Sequence, residues 1–415
     1  MHVNIRHFAA ISAVARERSV QRAAECVHLA QPTISQAILK IEQTLAVQLF
    51  HRTGSGMLPT NACLEFAERI DRGMAFLARA DAAIAGRRLP DQSASHDAPI
   101  SNRATYSQLQ ALMAVVKFSS YTAAAASIGV KIPTLHKAVK ELEETAQVEL
   151  LKRRGRSVEP TELARTISQH AGVALAEFSY AHEELSELSG DRINQLAIGS
   201  LPLGRSFLIP RAIDVMLARE PSVRISLDNA SYVEQLAALR NGDLDMIFGA
   251  LRYPCPSNDV LQEALFTDSL SILARTGHPA LCRAELDLEF LAGFPWIVPP
   301  KSIPTRVHFE NFFLGKIGRV PSSIIECSSP VAVREMLLGA DRLSFMSKRQ
   351  LSREIAEGRL MAVVEDIAGT EREIGLTTRK DWKPTRVRAA FIDILREVAR
   401  ENYQVINQVV PVDTA

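Results

Sequence analysis

Gln31, Thr33, Ser35, Gln36 and Lys40 place a run of hydrogen-bonding side chains along one short stretch, with Pro32 among them. Gln and short polar side chains can pair with the edges of nucleic-acid bases, whereas Lys and Arg neutralise phosphates. Ile34, Ile38, Ile41 and Leu45 are interleaved with them at helical spacing. Pro32 suits the first turn of a helix, where its missing N–H costs nothing. A helix is therefore expected here, its apolar side turned inward and Thr33, Ser35, Gln36 and Lys40 turned outward.

The stretch occurs twice. Residues 19–52 read SVQRAAECVHLAQPTISQAILKIEQTLAVQLFHR, and residues 120–153 read SYTAAAASIGVKIPTLHKAVKELEETAQVELLKR, at a constant offset of 101 residues. Ser19, Ala23, Ala24, Pro32, Thr33, Ala37, Glu42, Thr44, Val47, Leu49 and Arg52 recur as Ser120, Ala124, Ala125, Pro133, Thr134, Ala138, Glu143, Thr145, Val148, Leu150 and Arg153. Gly54, Pro59 and Thr60 recur as Gly155, Pro160 and Thr161. An ungapped self-match of this length signals duplication of a whole folding unit.

Further elements must position the polar helix. Phe8, Ile11 and Val14 share one helix face. Ser19 can cap a second helix, and Ala23 and Ala24 let another helix approach closely. Helix, tight turn and helix with a polar outer face describe a helix-turn-helix, whose second helix enters the major groove. His51 to Gly56 then turns between short apolar runs, as a winged hairpin does.

The pattern AAxxxxxxQPTxSxxIxxIExxLxxxLFxR over residues 23–52 resembles the N-terminal domain of LysR-type transcriptional regulators. The resemblance covers nearly the whole chain, and the second DNA-binding unit is a departure from the family pattern. It implies a winged helix-turn-helix, a long dimerisation helix, a hinge and an effector domain like a periplasmic binding protein. The expected fold class is multidomain α plus α/β: two winged helix-turn-helix domains with long linker helices, then a two-lobed α/β effector domain. The expected partners are double-stranded operator DNA, a small-molecule effector of anionic or sugar-like character, RNA polymerase, and further copies in a homodimer or homotetramer.

The expected boundaries are a first winged domain at 1–60, a long helix at 61–86, a flexible linker at 87–103 and a second winged domain at 104–161. A dimerisation helix and hinge follow at 162–191, the hinge at Ser189-Gly190-Asp191. The effector domain spans 192–415, with lobe one at 192–267 and 369–415 and lobe two at 268–368. Its strand–helix–strand succession, including the apolar run LDMIFG at 244–249, indicates doubly wound lobes. The second long helix is expected to be the main dimer contact, with the first long helix packing beside it or replacing it.

In the second copy Gln31 becomes Ile132, Ser35 becomes His136 and Gln36 becomes Lys137. Base reading is therefore expected from the first copy, through Ser19, Gln31, Pro32, Thr33, Ser35, Gln36, Lys40 and Arg52. The second copy would add phosphate binding or a second sequence preference through Ser120, Thr134, His136, Lys137 and Lys140, with the wing residues Arg153, Arg154 and Arg156 at phosphates. His136 is read as a DNA or solvent contact, not a metal ligand, because no partner lies at helix spacing.

Ligands of doubly wound sheets bind outside the carboxyl ends of strands. Together with the resemblance, this singles out Ser200, Leu201, Pro202, Leu203, Gly249, Lys301, Ser302 and Ser328 for the effector. Lys301 and the helix start after Ser329 favour an anionic group.

The 415 residues are 47% hydrophobic and 23% charged, with a net charge of +1, so basic character is local rather than global. The start of the chain lacks a signal core, and no run reaches the roughly 18 apolar residues of a membrane span, so a cytoplasmic protein is expected. Cys26, Cys63, Cys255, Cys282 and Cys327 show no metal-ligand spacing and are expected as free thiols. An oxidant-sensing pair among the last three, known in some relatives, is a secondary expectation. The chain contains no GxSxG, HExxH, P-loop or GxGxxG, so neither catalysis nor a cofactor is expected. The competing readings are a two-lobed enzyme or solute-binding protein, and an adaptor whose winged domains bind protein.

Overall fold

The computed structural model describes residues 5–54, 56–86, 99–154, 157–190, 194–282 and 287–402. It forms two compact units, the first containing the chain up to Leu196 with 222–224 and 236–245, the second the remainder.

The first unit opens with α1 (Ile5–Glu17), α2 (Val20–Val27), α3 (Gln31–Leu45), β1 (Phe50–Thr53) and β2 (Gly56–Pro59), followed by α4 (Asn61–Ala85). After α5 (Pro99–Arg103), the same series repeats as α6 (Tyr106–Phe118), α7 (Tyr121–Ile128), α8 (Ile132–Ala146), β3 (Leu151–Arg154), β4 (Ser157–Pro160) and α9 (Glu162–Leu188). The strands pair antiparallel as short hairpins, β1 with β2 and β3 with β4.

The residues that recur between the copies hold this fold. Ser19 and Ser120 cap α2 and α7 by accepting from the Arg22 and Ala123 N–H groups. The Glu42 carboxylate accepts from the Leu49 and Phe50 N–H groups at 2.7 and 3.1 Å, and Glu143 repeats this with Leu150 and Leu151 at 2.8 and 3.1 Å. Each glutamate thus ties its helix to the start of the hairpin. Thr60 and Thr161 cap α4 and α9, while their N–H groups donate to the Leu49 and Leu150 carbonyls. Gly56 is required by close approach, since a Cβ there would lie 2.5 Å from the Arg18 carbonyl oxygen.

The two long helices pack on one another antiparallel. Phe66, Ile70, Leu77 and Ile84 of α4 join Ile167, Leu175, Phe178 and Leu185 of α9 in one buried core. Gly73 admits the Phe178 ring, which would meet a Cβ at 2.3 Å. Phe178 also touches Phe8 of α1, with ring centroids 5.7 Å apart. The apolar face of α9 is therefore covered by α4 within the chain.

One expectation changes. The linker expected at 87–103 ends in α5, because the Asp81 carboxylate accepts from the Ile100 and Ser101 N–H groups and Ile100 is fully buried. Residues 87–98 of that linker lie outside the described residues, as do Ser55 of the first wing, Asp191 of the hinge, and 403–415.

From Gln195 onward the chain alternates β5 (Gln195–Ser200), α10 (Pro202–Ser206), α11 (Leu208–Arg219), β6 (Arg224–Asp228), α12 (Tyr232–Arg240), β7 (Met246–Ala250), β8 (Val260–Asp268) and β9 (Ser271–Arg275). It continues with α13 (Leu288–Ala292), β10 (Trp296–Val298), α14 (Pro304–Ile317), β11 (Ile324–Glu326), α15 (Pro330–Gly339) and β12 (Leu343–Met346). It closes with α16 (Ser352–Ala356), β13 (Leu360–Val364), β14 (Arg372–Arg379) and α17 (Arg386–Asn402). One sheet has the order β6-β5-β7-β14-β8 and the other β11-β10-β12-β9-β13. β5 and β7 run parallel, as do β10 with β11 and with β12, while the crossing strands β8, β9, β13 and β14 pair antiparallel. The chain passes from the first sheet to the second between Asp268 and Ser271, and returns between Val364 and Arg372. Strand β8 has no counterpart in the sequence reading, and the helical stretch that follows β5 is broken at Phe207 into α10 and α11.

Candidate functional site

The inner face of α3 is buried through Ile34, Ala37, Ile38, Ile41 and Leu45. This leaves Gln31, Pro32, Ser35, Gln36 and Lys40 exposed and Thr33 half-buried, all along one side. Leu39 is 51% exposed beside them, an apolar group of the kind that meets a thymine methyl. Arg52 is exposed on β1. His7 stays below the ordinary histidine range through burial first, then through the nearby charges of Lys40 and Arg6. Those two cations mark the positive side of the first winged domain.

The second copy presents a different surface from the same scaffold. Leu135, Val139, Leu142 and Ala146 are buried, and Ile132, Pro133, Thr134, Lys137 and Lys140 are exposed. Lys137 and Lys140 lie 3.8 and 3.7 Å from Glu141 and Glu144 of their own helix. Such exposed pairs are worth only about 0.3–0.5 kcal/mol, so both lysines remain available to a phosphate. The His136 ring stacks on Tyr121 with centroids 3.6 Å apart, which covers one ring face and leaves it half-buried. Lys152 is exposed on β3, Arg153 and Arg154 belong to the same strand, and Arg156 lies outside the described residues. Ser19 and Ser120 serve as helix caps, which fixes both hydroxyls to backbone.

In the second unit the expected ligand residues sit at strand ends. Ser200 closes β5 and is fully buried, and Leu201, Pro202 and Leu203 lead into α10. Gly249 lies in β7, against the Leu201 side chain. Lys301 and Ser302 are exposed between β10 and α14, and Ser328 is exposed between β11 and α15. α10 packs against the 3-10 turn Lys348–Leu351, so the β5 end faces the segment of the other sheet.

Two groups here left no mark in the sequence. The Gln235 amide nitrogen donates to the carbonyls of Ser200, Asp228 and Ala230, while its Oε1 is buried without a partner. Tyr232 Oη is also buried and unpartnered, and the Arg252 guanidinium lies 4.6 Å from the Tyr232 ring centre. The second group is built on Asp268, 3% exposed, which joins the sheets. Its carboxylate accepts from Ser347 Oγ at 2.7 Å and from Arg372 at 2.8 Å, with Arg349 at 3.4 Å. Arg372 also donates to Thr305 Oγ1 at 3.3 Å.

All five cysteines are free thiols, and burial above all, with Glu42 adding, pushes the Cys63 thiol up to about 12. Among the described residues no cluster of His, Cys, Asp or Glu could hold a metal ion, and no helix is long and apolar enough to cross a membrane.

Comparison with known proteins follows the same division. The family model described as "LysR substrate binding domain" matches residues 189–400. The model described as "Bacterial regulatory helix-turn-helix protein, lysR family" matches twice, at 5–64 and 106–165. The HTH-type transcriptional regulator GalR of Pseudomonas putida is 29% identical over 400 residues, covering 96% of this chain and 98% of that protein. PcaQ of Agrobacterium fabrum, also an HTH-type transcriptional regulator, is 24% identical over 302 residues, covering 73% of this chain and 97% of its own. Among solved structures, ArgP from Mycobacterium tuberculosis aligns with a TM-score of 0.55 and 16% identity, over 72% of this chain and 98% of that one. A full-length OxyR variant from Pseudomonas aeruginosa aligns with a TM-score of 0.52 and 22% identity, over 71% and 94%. These two share the fold.

Proposed function

The chain belongs to the LysR family of bacterial transcriptional regulators, and from that membership we propose a specific division of labour among its residues. Gln31, Thr33, Ser35 and Gln36 on α3 read base edges in the major groove of operator DNA, with Lys40 and Arg52 on phosphates. The observation that supports this is the one-sided exposure of that polar set over a fully buried Ile34, Ile38 and Ile41 face.

An anionic or sugar-like effector is bound by Ser200 to Leu203, Gly249, Lys301, Ser302 and Ser328. Gln235 Oε1 and Tyr232 Oη add two buried polar atoms to the same lobe. The effector shifts transcription by no more than its difference in affinity for the two lobe arrangements. The site has a regulatory role, contacts to RNA polymerase and assembly into dimers or tetramers complete the picture, and the protein works in the cytoplasm.

Footprinting on the DNA upstream of the protein's own gene tests the DNA reading. The wild-type protein is expected to protect a discrete site, and Thr33→Ala with Ser35→Ala to abolish that protection. Equal protection by both proteins would remove α3 from base reading.

A further inference from the structure

Between the copies, the recurring residues build the scaffold and the outward residues of α3 and α8 differ. Gln31 is replaced by Ile132, Ser35 by His136 and Gln36 by Lys137. Two matching scaffolds carrying two unlike polar faces are held together in one unit by α4 and α9.

The register of that helix pair is two-fold. Arg69 of α4 meets Glu177 of α9 at 3.1 Å. Moving each residue by the 101-residue repeat offset, Arg69 becomes His170 and Glu177 becomes Phe76. His170 and Phe76 are themselves in contact, with ring centroids 6.5 Å apart. The second contact is thus the image of the first under exchange of the copies. Duplex DNA has the same kind of two-fold relation between half-sites, and paired recognition helices mirror it.

The chemistry of the pair also favours unlike helices. Arg69 is nearly buried and held by both Glu177 and Glu184, the latter at 2.7 Å. In a pairing of α4 with a second α4, those two carboxylates would be replaced by their counterparts Phe76 and Ala83. Arg69 would then be a buried charge without a counter-ion, which proteins avoid.

We propose that the α4–α9 pair closes a DNA-binding couple within one chain, so that a single polypeptide presents α3 and α8 to two half-sites of unequal sequence. The inference rests on the reading of this chain as a DNA-binding regulator. α3 reads its element through Gln31, Thr33, Ser35 and Gln36. α8 reads the other through Thr134 and the exposed Ile132, which suits a thymine methyl, with Lys137 and Lys140 on phosphates.

Selection of binding sites from random duplex DNA by the full-length protein tests this, run beside two surface variants. Q31I/Q36K and I132Q/K137Q exchange outward residues between the helices, and all four positions are exposed, so the fold is kept. The expected site contains two unlike elements. Each variant changes the preferred bases in one element only, by roughly tenfold or more in relative affinity. At saturation the ratio is one chain for each duplex that carries one such site.

Two identical inverted elements, both altered by Q31I/Q36K and neither by I132Q/K137Q, at two chains per duplex, would overturn the inference and leave the regulator reading intact. A single element indifferent to I132Q/K137Q would do the same. Absence of any enriched sequence would remove both.

Discussion

The Arg69 guanidinium lies 3.1 Å from the Glu177 carboxylate across 108 residues of sequence, and both side chains are almost wholly buried. Arg72 reaches the same carboxylate at 3.3 Å, and Glu184 accepts from Nε and Nη2 of Arg69. Burial works against the Arg69 charge, but the hydrogen bonds and attraction of Glu184 and Glu177 outweigh it and raise its pKa. One ion cluster thereby fixes which two helices pair and in what register.

Arg69→Met is expected to destabilise the first unit by about 3 kcal/mol, because the buried Glu177 loses its buried counter-ion and keeps only the more exposed Arg72, at 3.3 Å. Arg69→Met with Glu177→Leu should recover much of that loss. Both tryptophans, Trp296 and Trp382, lie in the second unit. Urea unfolding followed by far-ultraviolet circular dichroism should therefore show the shift, while tryptophan fluorescence should not. Equal shifts in both signals would mean that the units unfold together.

Gly73→Ala is expected to destabilise, although alanine is the better helix former by about 1 kcal/mol. The added Cβ would fall 2.3 Å from a ring carbon of Phe178, itself only 3% exposed. Overpacking of this kind costs about 1–3 kcal/mol. A raised thermal midpoint would show that the α4–α9 contact has room to spare.

His278 is fully buried, and burial above all holds its imidazole below the ordinary histidine range, with Asp341 opposing and Arg275 adding. The folded protein therefore binds fewer protons here than the unfolded chain. The stability this gives is complete above about pH 6.5 and is lost as pH falls from there toward the depressed folded value. His278 Nδ1 accepts from the Ala280 N–H at 3.0 Å, a role that Asn can also fill. His278→Asn should flatten the fall in the fluorescence-detected unfolding midpoint on acidification. An unchanged slope would assign it to His308, shifted the same way chiefly by burial.

Asp268→Ala should uncouple the second unit's sheets, since Ser347, Arg349 and Arg372 all lose their shared partner. The expected cost is about 3 kcal/mol in the fluorescence-detected transition, because the arginines are left partly buried. DNA protection by the first unit should persist. Wild-type stability would show that the Arg372–Thr305 contact suffices to join the sheets.

Local pattern in the chain was enough to reveal the repeated unit, the helix-turn-helix and the outward polar set on α3. Each depends on contacts a few residues apart, so helical spacing, a capping Ser19 and a starting Pro32 show them directly. Glu42 and Glu143 were legible as recurring residues, although their role as ties to the hairpin was not. The alternation of strand and helix after Gln195 was legible for the same local reason, but β8 was not, because its half-exposed residues lack a continuous apolar run. Long-range packing alone settled that α4 and α9 cover each other, that His136 stacks on Tyr121, and that Asp268 joins the sheets. An amphipathic stripe states that a face must be buried and is silent on what buries it. That choice is made by contacts between residues about a hundred positions apart, such as Arg69 with Glu177, whose pairing no local pattern encodes.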